Sequence, residues 1–399
     1  MADLVTTVQN TIKEHRLIKA GDCVLLGFSG GPDSLSLFHA LMELRGRMGF
    51  DLIAVHINHG IRGEAADKDA VWAVEYARAH GVSCIGAMAN VPAYAEKRHM
   101  TEEEAGRSVR REIFAYLAYN IATGNVIEKH PAKDMLKGHA APKIPVPKGG
   151  IRVALAHNMD DQAKTVLMRI LRGTGVHGLS GIQYQSRLDD ALLRVAAGIN
   201  DEELRSKAKE LDISIIRPLL DVSRAEVEAY CTENQLQPRI DHTNSETDYT
   251  RNKIRLELLP AIEKDFNPNI KEALVRLAAN ASEDDDALSG IAAQAIVDSE
   301  KVLEARMPRP EDKVFPESLT PKPLLSSIEL SAAMLRELKP AVFKRVIVSE
   351  FARLGLNEGI SAVHLNALYN AVQKNIGGKV TEFPGGHTAE LLRGTLTLR

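Results

Sequence analysis

Cysteine is scarce in this chain. Its three residues, Cys23, Cys84 and Cys231, are isolated among 399, with no C-x-x-C spacing. That pattern speaks against a disulfide framework, a zinc site and an iron–sulfur site, and points to a reducing, cytoplasmic compartment. Long apolar runs are missing too. None approaches 18 residues, so no transmembrane helix is expected. The N-terminal stretch MADLVTTVQNTIKEHRLI reads as an amphipathic helix without the apolar centre of a signal peptide. Nor is there an excess of positive charge. Fifty Lys and Arg face 53 Asp and Glu, a net −3, which argues against a globally basic nucleic-acid binder. No internal repeat is visible. What remains, 44% hydrophobic and 26% charged residues, is the composition of a soluble globular protein of two or three domains.

The first 220 residues alternate strand and helix patterns, which predicts a parallel sheet with helices on its faces. Strands are expected at Cys23–Phe28, Leu52–Ile57, Ser83–Met88 and Ile151–Ala156, with a weaker one at Ser214–Ile216. Helices are expected at Leu35–Arg47, Ala65–His80, Glu102–Ile121 and Asp161–Leu171. Thr101 with Glu104 makes a capping-box pattern, and Gly81 offers a C-terminal stop. Two stretches break the rhythm. Gly124–Gly150 carries four prolines among lysines and reads as a flexible insertion. Overlapping it, Glu128 to Arg152 holds five lysines and one arginine against two acids; such a run is ordinarily a solvated loop. Ser186–Asp212 reads as a second insertion, containing a short charged helix. Beyond Asp221 the character turns helical. Ser223 and Glu226 form a further capping box, and long helical patterns cover Ile270–Ser299, Ala341–Leu354 and Ala362–Lys374. Met307–Pro323, with five prolines, reads as a linker. Short strands follow around Lys379–Phe383 and Thr388–Leu392.

Chemistry concentrates where strands end, at the edge where parallel sheets bind ligands. Val24-Leu25-Leu26-Gly27-Phe28 runs directly into Ser29-Gly30-Gly31-Pro32-Asp33-Ser34 and then into a helical pattern. Paired glycines let the backbone approach a ligand closely, and the turn's N–H groups converge with the positive end of the helix dipole. Such a point binds phosphate. It is not a Walker loop, which needs a lysine that is missing here. Asp33 is placed to hold Mg²⁺ against phosphate oxygens, or else only caps the helix. Asp160 and Asp161 lie at the next strand end, where an acidic pair also complements a helix start. His56 and His59 in His56-Ile57-Asn58-His59-Gly60 lack a third ligand for zinc, which leaves a nucleotide-contacting turn or packed histidines. Glu103, Arg107 and Arg110 share a helix face, which by itself describes a surface ion-pair stripe.

The S-G-G-P-D-S loop resembles that of the PP-loop ATP pyrophosphatases. Taken with further blocks, the chain resembles the tRNA(Ile)-lysidine synthetases. His56-Ile57-Asn58-His59-Gly60-Ile61-Arg62-Gly63 is similar to the family's H-x-N-H-G-L-R, and Thr101–Phe114 to its S-L-E-E-A-A-R-x-x-R-Y-x-x-F. The stretch Ala156–Ile182, with D-D-Q and R-G-T-G, is nearly a full signature. Arg217-Pro218-Leu219-Leu220, the Y-T-R-N-K-I-R and L-L-P blocks within Asp241–Pro260, and Phe383-Pro384-Gly385-Gly386 follow. Coverage runs from about Gly21 to Asn280.

The resemblance implies a doubly wound α/β PP-loop catalytic domain over 1–221. A helical tRNA-facing domain over 222–305, a linker over 306–325 and a small α+β domain over 326–399 would follow. It implies transfer of AMP from ATP onto O2 of the wobble cytidine in the CAU-anticodon isoleucine tRNA, then displacement of AMP by the amine of free L-lysine. Phosphoryl chemistry of this kind asks for positioning and charge neutralisation. Implied nucleotide contacts are Ser29, Gly30, Gly31, Pro32, Asp33, Ser34, His56, His59, Arg107 and His157, with Mg²⁺ on Asp33. Asp33, Asp160, Asp161 and Glu103 are the candidate catalytic acids, the last three to orient the lysine amine. Implied tRNA contacts are Arg169, Arg172, Arg217, Arg251, Asn252, Lys253 and Arg255. A homodimer is compatible with the sequence, which does not set the oligomeric state. The chain departs from the pattern at Lys164, where D-D-Q-x-E-T has a glutamate; Lys164 could pair with Asp160 at i,i+4 as a surface bridge. Gly106 and Arg111 are further departures. Two alternatives stay open: another PP-loop enzyme such as a tRNA thiolase or a GMP synthetase-like partner, and a tRNA-binding homologue without catalysis. Thiolation normally wants paired cysteines, which are missing.

Overall fold

A computed structural model of the chain describes residues 3–61, 63–124, 146–188, 211–239, 253–304, 327–356 and 359–399. The chain forms two compact units, Met1–Ala279 and Asn280–Arg399. Most of both expected insertions, the expected linker and the segment holding Arg251 and Asn252 lie outside the described residues. No described helix is long and apolar enough to cross a membrane.

In the first unit the elements run α1 (Leu4–Glu14), β1 (Cys23–Gly27), α2 (Pro32–Met48), β2 (Asp51–Asn58), α3 (Glu64–Ala79), β3 (Ser83–Met88), α4 (Val91–Arg98) and α5 (Glu102–Thr123). They continue as β4 (Ile151–Ala154), α6 (Met159–Arg172), α7 (Val176–Leu179), β5 (Gln185–Arg187), β6 (Ile213–Ile216) and α8 (Arg224–Glu233). The sheet order is β3-β2-β1-β4-β6-β5. All pairings are parallel except β5 with β6. Strand side chains alternate between faces. Cys23 and Leu25 of β1 join Ile53, Val55 and Val153 in a core closed by α5. Val24 and Leu26 turn the other way, into a core closed by α1, α2 and α3. Both faces are thereby covered, which is why these strands read as continuous apolar runs. The short charged helix expected within Ser186–Asp212 lies outside the described residues, and β5 is an antiparallel edge strand. Three residues are too short to carry a periodic signal.

The chain moves outward from β1 through β2 to β3, then returns to place β4 on β1's other side. The loops leaving β1 and β4 therefore diverge and open a crevice at the strands' carboxyl ends. Helix starts are fixed locally. Thr101 and Glu104 close a capping box on α5, Asn158 and Asp161 one on α6, and Ser223 and Glu226 one on α8. After α8, a π-helical turn Ile254–Leu258 leads into helix Leu259–Asp265. The division between the units falls within helix Ile270–Glu304.

The second unit has an antiparallel sheet ordered β7 (Ile328–Ser331), β10 (Thr395–Leu398), β9 (Thr388–Leu392), β8 (Lys379–Glu382). Helices Pro340–Arg353 and Ala362–Gln373 supply Phe343, Val346, Ile347, Phe351 and Leu368 to its core. β7 and β10, absent from the sequence reading, bury Leu330, Leu396 and Leu398 there.

Candidate nucleotide-binding cleft

The crevice between the loops after β1 and β4 is a cleft of about 1080 Å³. Ser29, Gly31, Pro32, Asp33 and Ser34 line one part of it, Val55–His59 a second, and Leu155–Asn158 with Asp160, Asp161 and Lys164 a third. Gly30 has φ +84, the left-handed region that suits glycine. A Cβ there would lie 2.6 Å from Cζ3 of Trp72. The backbone thus reverses against an indole wall. Ser34 Oγ donates to Gly31 O at 3.1 Å and accepts from Gly30 N at 3.1 Å. Ser29 Oγ lies 3.0 Å from Ser34 Oγ. No side chain caps the start of α2, where Pro32 occupies the first turn. Its first free N–H groups are left for an anion, and a helix N-terminus supplies the favourable field.

Asp33 joins the two sides of the cleft. Asn158 Nδ2 donates to its Oδ1 at 2.8 Å, and Arg224 Nη1 to its Oδ2 at 2.6 Å. Burial pushes the Asp33 carboxyl up, and this outweighs the downward pull of Arg224 and Asn158. Asp160 accepts from the backbone N–H of Arg224 at 2.8 Å and pairs with Lys271 at 3.0 Å. Burial lowers the Lys271 ammonium, but its bond to Asp160 holds it above its usual range. Asp161 completes the capping box with Asn158 and pairs through Oδ1 with Lys164 Nζ at 2.5 Å. Burial raises the Asp161 carboxyl, while Lys164 wins and holds it below the ordinary value. Lys164 is therefore a partner of Asp161 at i,i+3, and not of Asp160 at i,i+4. It is also buried rather than on the surface, at 9% exposure.

His56 is buried, its Nδ1 2.9 Å from Phe28 O, so it packs β2 against the loop leaving β1 while lining the cleft. His59 also lines the cleft. His157 lines it too, with Nδ1 shielded from solvent and no hydrogen-bond partner among the described residues. Burial lowers His157 to about 4; Asp161 pulls it up, and the cations of Arg217, Arg110 and Lys164 push it further down.

Other predicted residues lie elsewhere. Arg107 forms an exposed i,i+4 ion pair with Glu103, and neither lines the cleft, whereas Arg110 on the same helix does. Arg169 donates to the carbonyls of Gly178 and Gly181, both at 2.8 Å, folding the glycine-rich loop back on α6. Arg217 is committed to Gln183 O at 2.6 Å. Arg172 and Lys253 are exposed, and Arg255 is exposed at the cleft's edge. Arg224, Lys271, Asn158 and Arg239 were missed by sequence reasoning. Arg239 N donates to Gly30 O at 2.9 Å, and its guanidinium lies over Trp72 while bonded to Asp69. The capping box at Ser223 located Arg224 at a helix start, that at Asn158 went unread, and nothing local shows that both residues reach Asp33.

A parallel sheet with a crossover after β3, a lysine-free phosphate loop and an acid-lined cleft define an ATP-binding α/β domain. The family model described as the PP-loop domain matches residues 3–137 and 146–262, and the chain belongs to that family. Membership implies ATP as the nucleotide. The tRNA(Ile)-lysidine synthase of Clostridioides difficile is 39% identical over 279 residues, which cover 70% of this chain and 49% of that protein. That of Caldanaerobacter subterraneus subsp. tengcongensis is 36% identical, covering 71% and 50%. That of Geobacillus kaustophilus is 30% identical, covering 80% and 58%. The chain spans about half the length of the curated relatives it matches. Among solved structures, the U34-tRNA thiolase NcsA from Methanococcus maripaludis is similar at 19% identity and TM-score 0.47, covering 70% of this chain and 78% of that one.

Proposed function

We propose that this chain ligates L-lysine to C2 of the wobble cytidine of the CAU-anticodon isoleucine tRNA, consuming ATP and releasing AMP and pyrophosphate. The observation that carries the reading is the cleft itself. A phosphate loop, the carboxylates of Asp33, Asp160 and Asp161, and open space for a base meet at one sheet edge, in a chain whose similar relatives share one name.

The chemistry assigns work to the chain's own residues. O2 of cytosine is a poor leaving group until AMP is placed on it. The Ser29–Ser34 loop holds the triphosphate by its amides and hydroxyls, so that the phosphorus next to the ribose faces the base. Among the described residues no group of three or more His, Cys, Asp or Glu side chains could hold a metal alone. Mg²⁺ characteristically takes one or two carboxylates and completes its shell with phosphate oxygens and water. Asp33 fits that need, since each of its oxygens accepts one hydrogen bond and retains a lone pair. Bound there, Mg²⁺ would neutralise phosphate charge. The lysine amine must then lose a proton before it attacks, from an ordinary pKa of about 10.4. Asp160 is the better placed of the rim acids to orient it, because Lys271, its present partner, is a flexible side chain 3.0 Å away. The base has to be splayed from the anticodon loop, as single-stranded RNA recognition requires. Arg255 at the cleft's edge, with Arg251, Asn252, Lys253 and Arg172, forms the set of proposed RNA contacts. In this division the part up to residue 221 does the chemistry and 222–305 faces the tRNA.

The test is pyrophosphate release with ATP, lysine and a CAU transcript, each omitted in turn, together with capture of labelled lysine in the RNA. Formation of AMP and pyrophosphate only with the full set, and lysine in the transcript, is expected. Formation of ADP, or turnover indifferent to lysine, overturns the reading.

A further inference from the structure

Two of the cleft's acids are held by a single residue. Arg224 opens α8, donates its backbone N–H to Asp160 at 2.8 Å, and reaches Asp33 with its guanidinium at 2.6 Å. Where Arg224 sits therefore sets the separation of those carboxylates. The turn that carries it, Asp221–Arg224, also meets the start of α6, because Met159 N donates to Val222 O at 2.9 Å. The far end of this turn is tied down from behind the cleft. Asp221 Oδ2 accepts from Thr11 Oγ1 of α1 at 2.6 Å, and its Oδ1 accepts from the Tyr184 hydroxyl at 2.5 Å. An ionised carboxylate only accepts, so both hydroxyls must aim their protons at it. The Thr11 proton thus goes to Asp221 and not to Thr7 O, 3.1 Å away. His15 in turn steadies the Tyr184 ring, stacked on it with centroids 3.6 Å apart. Asp221, Thr11 and Tyr184 do not line the cleft. Apolar packing also holds this region, since Val222 and Val227 share a core with Val8 and Ile12 of α1. That attraction is non-directional, whereas the two bonds to Asp221 fix where the turn lies.

We propose that Asp221 is a positioning residue: clamped between α1 and Tyr184, it fixes the turn through which Arg224 holds Asp33 and Asp160 at their working separation. The proposal rests on the function given above, in which Asp33 serves the phosphates and Asp160 the lysine amine. Two reactants are served by two acids, and one anchor behind them sets both. The phosphate loop is held separately, by the Ser29 and Ser34 hydroxyls and by Arg239 N on Gly30 O at 2.9 Å. Loosening Asp221 should consequently spoil the alignment of the reacting groups and spare the binding of nucleotide.

The experiment uses the full-length chain with ATP, lysine and a CAU transcript. It reads kcat for pyrophosphate release, ATP affinity by equilibrium dialysis, and the urea midpoint. Asp221→Ala should lower kcat about ten- to a hundredfold, the loss expected from a displacement on the order of 1 Å, while ATP affinity holds. Tyr184→Phe and Thr11→Val each remove one donor; they should give smaller losses of kcat, and they carry the test if Asp221→Ala does not fold. Asp221→Asn should recover most of the rate, because its amide can donate to one hydroxyl and accept from the other. Added to Arg224→Met, Asp221→Ala should cost much less, in kcat and in urea midpoint, than it does alone. A lower urea midpoint with unchanged kcat in the folded variant overturns the proposal. So do a loss of ATP affinity as large as the loss of kcat, an Asp221→Asn variant as slow as Asp221→Ala, and full additivity with Arg224→Met. An unmodified chain that binds ATP without turnover would instead remove the proposed function. The urea midpoints then decide alone: less than additive values keep Asp221 as the anchor of Arg224, and additive ones end it.

Discussion

His157 shows how one residue couples the cleft to stability. Its imidazole is held near pKa 4, against an ordinary 6.5, by burial and by the cations of Arg217, Arg110 and Lys164. The folded state therefore disfavours the proton that the unfolded chain binds readily. The sign follows from linkage: this contribution is fully present above about pH 6.5 and is lost as pH falls toward 4. Chemical denaturation at pH 7.5, 5.5 and 4.5 should show the unmodified chain weakening across that window. His157→Gln, which cannot titrate, should show a shallower slope, and identical slopes would remove His157 as the cause. Lys164 teaches a related lesson. Spacing suggested Asp160 at i,i+4; in the structure Asp160 is engaged by Arg224 N–H and Lys271, and Lys164 pairs with Asp161 at i,i+3. The residue types at the rim were legible because strand ends and helix starts announce themselves locally. Their pairing was not, since Arg224 meets Asp33 across 191 positions of chain.

Among elements, the loop between β1 and α2 depends on α3, a helix it does not lead into. Trp72 of α3, the only tryptophan, stands against Gly30 and within 5.9 Å of the Phe28 ring centre. Gly30→Ala would force a left-handed alanine, costing about 1–2 kcal/mol, and would also drive its Cβ into the indole. ATP affinity should fall at least tenfold. Intrinsic fluorescence reads the result directly, because nucleotide at the loop should change Trp72 emission in the unmodified chain and fail to do so in the variant. Unchanged affinity would show that the loop tolerates a different path. At the opposite edge of the sheet, Arg152 of β4 is buried and bonds Asp22 Oδ2 at 3.0 Å and Asp212 Oδ2 at 2.6 Å. It ties β4 to the segments entering β1 and β6. Arg152→Met leaves Asp22, 1% exposed, without its cation, and breaking such a pair typically costs about 3–5 kcal/mol. Urea unfolding should register that loss, and ATP affinity measured on the folded variant should not move, because Arg152 does not line the cleft. Most of the long elements were legible from period and caps, but α4 and the short helices Leu259–Asp265 and Ala332–Glu337 were not. β5, β7 and β10 also went unread, because three or four residues give little alternation, although the four-residue strands β4, β6 and β8 were expected.

At the scale of the whole molecule, the chain carries separate cores. Phe28, Leu35, Phe38 and Leu41 sit in the first unit, directly behind the phosphate loop. Phe343, Val346, Phe351 and Leu396 sit in the second. Each unit holds a sheet and helices of its own. Two-state unfolding is consequently the wrong default, and the two cores should answer to different perturbations. In the proposed function ATP binds the folded first unit, so at a hundredfold excess over Kd it should stabilise that unit by about 2.7 kcal/mol. Phe343→Ala removes a fully buried ring from the second core, a change worth about 3–5 kcal/mol. In scanning calorimetry, ATP should raise one transition and Phe343→Ala should lower the other, and the two shifts should add when combined. A single transition that moves as one under both treatments would mean that the cores unfold cooperatively. The loss from Phe343→Ala would then be felt at the phosphate loop as well.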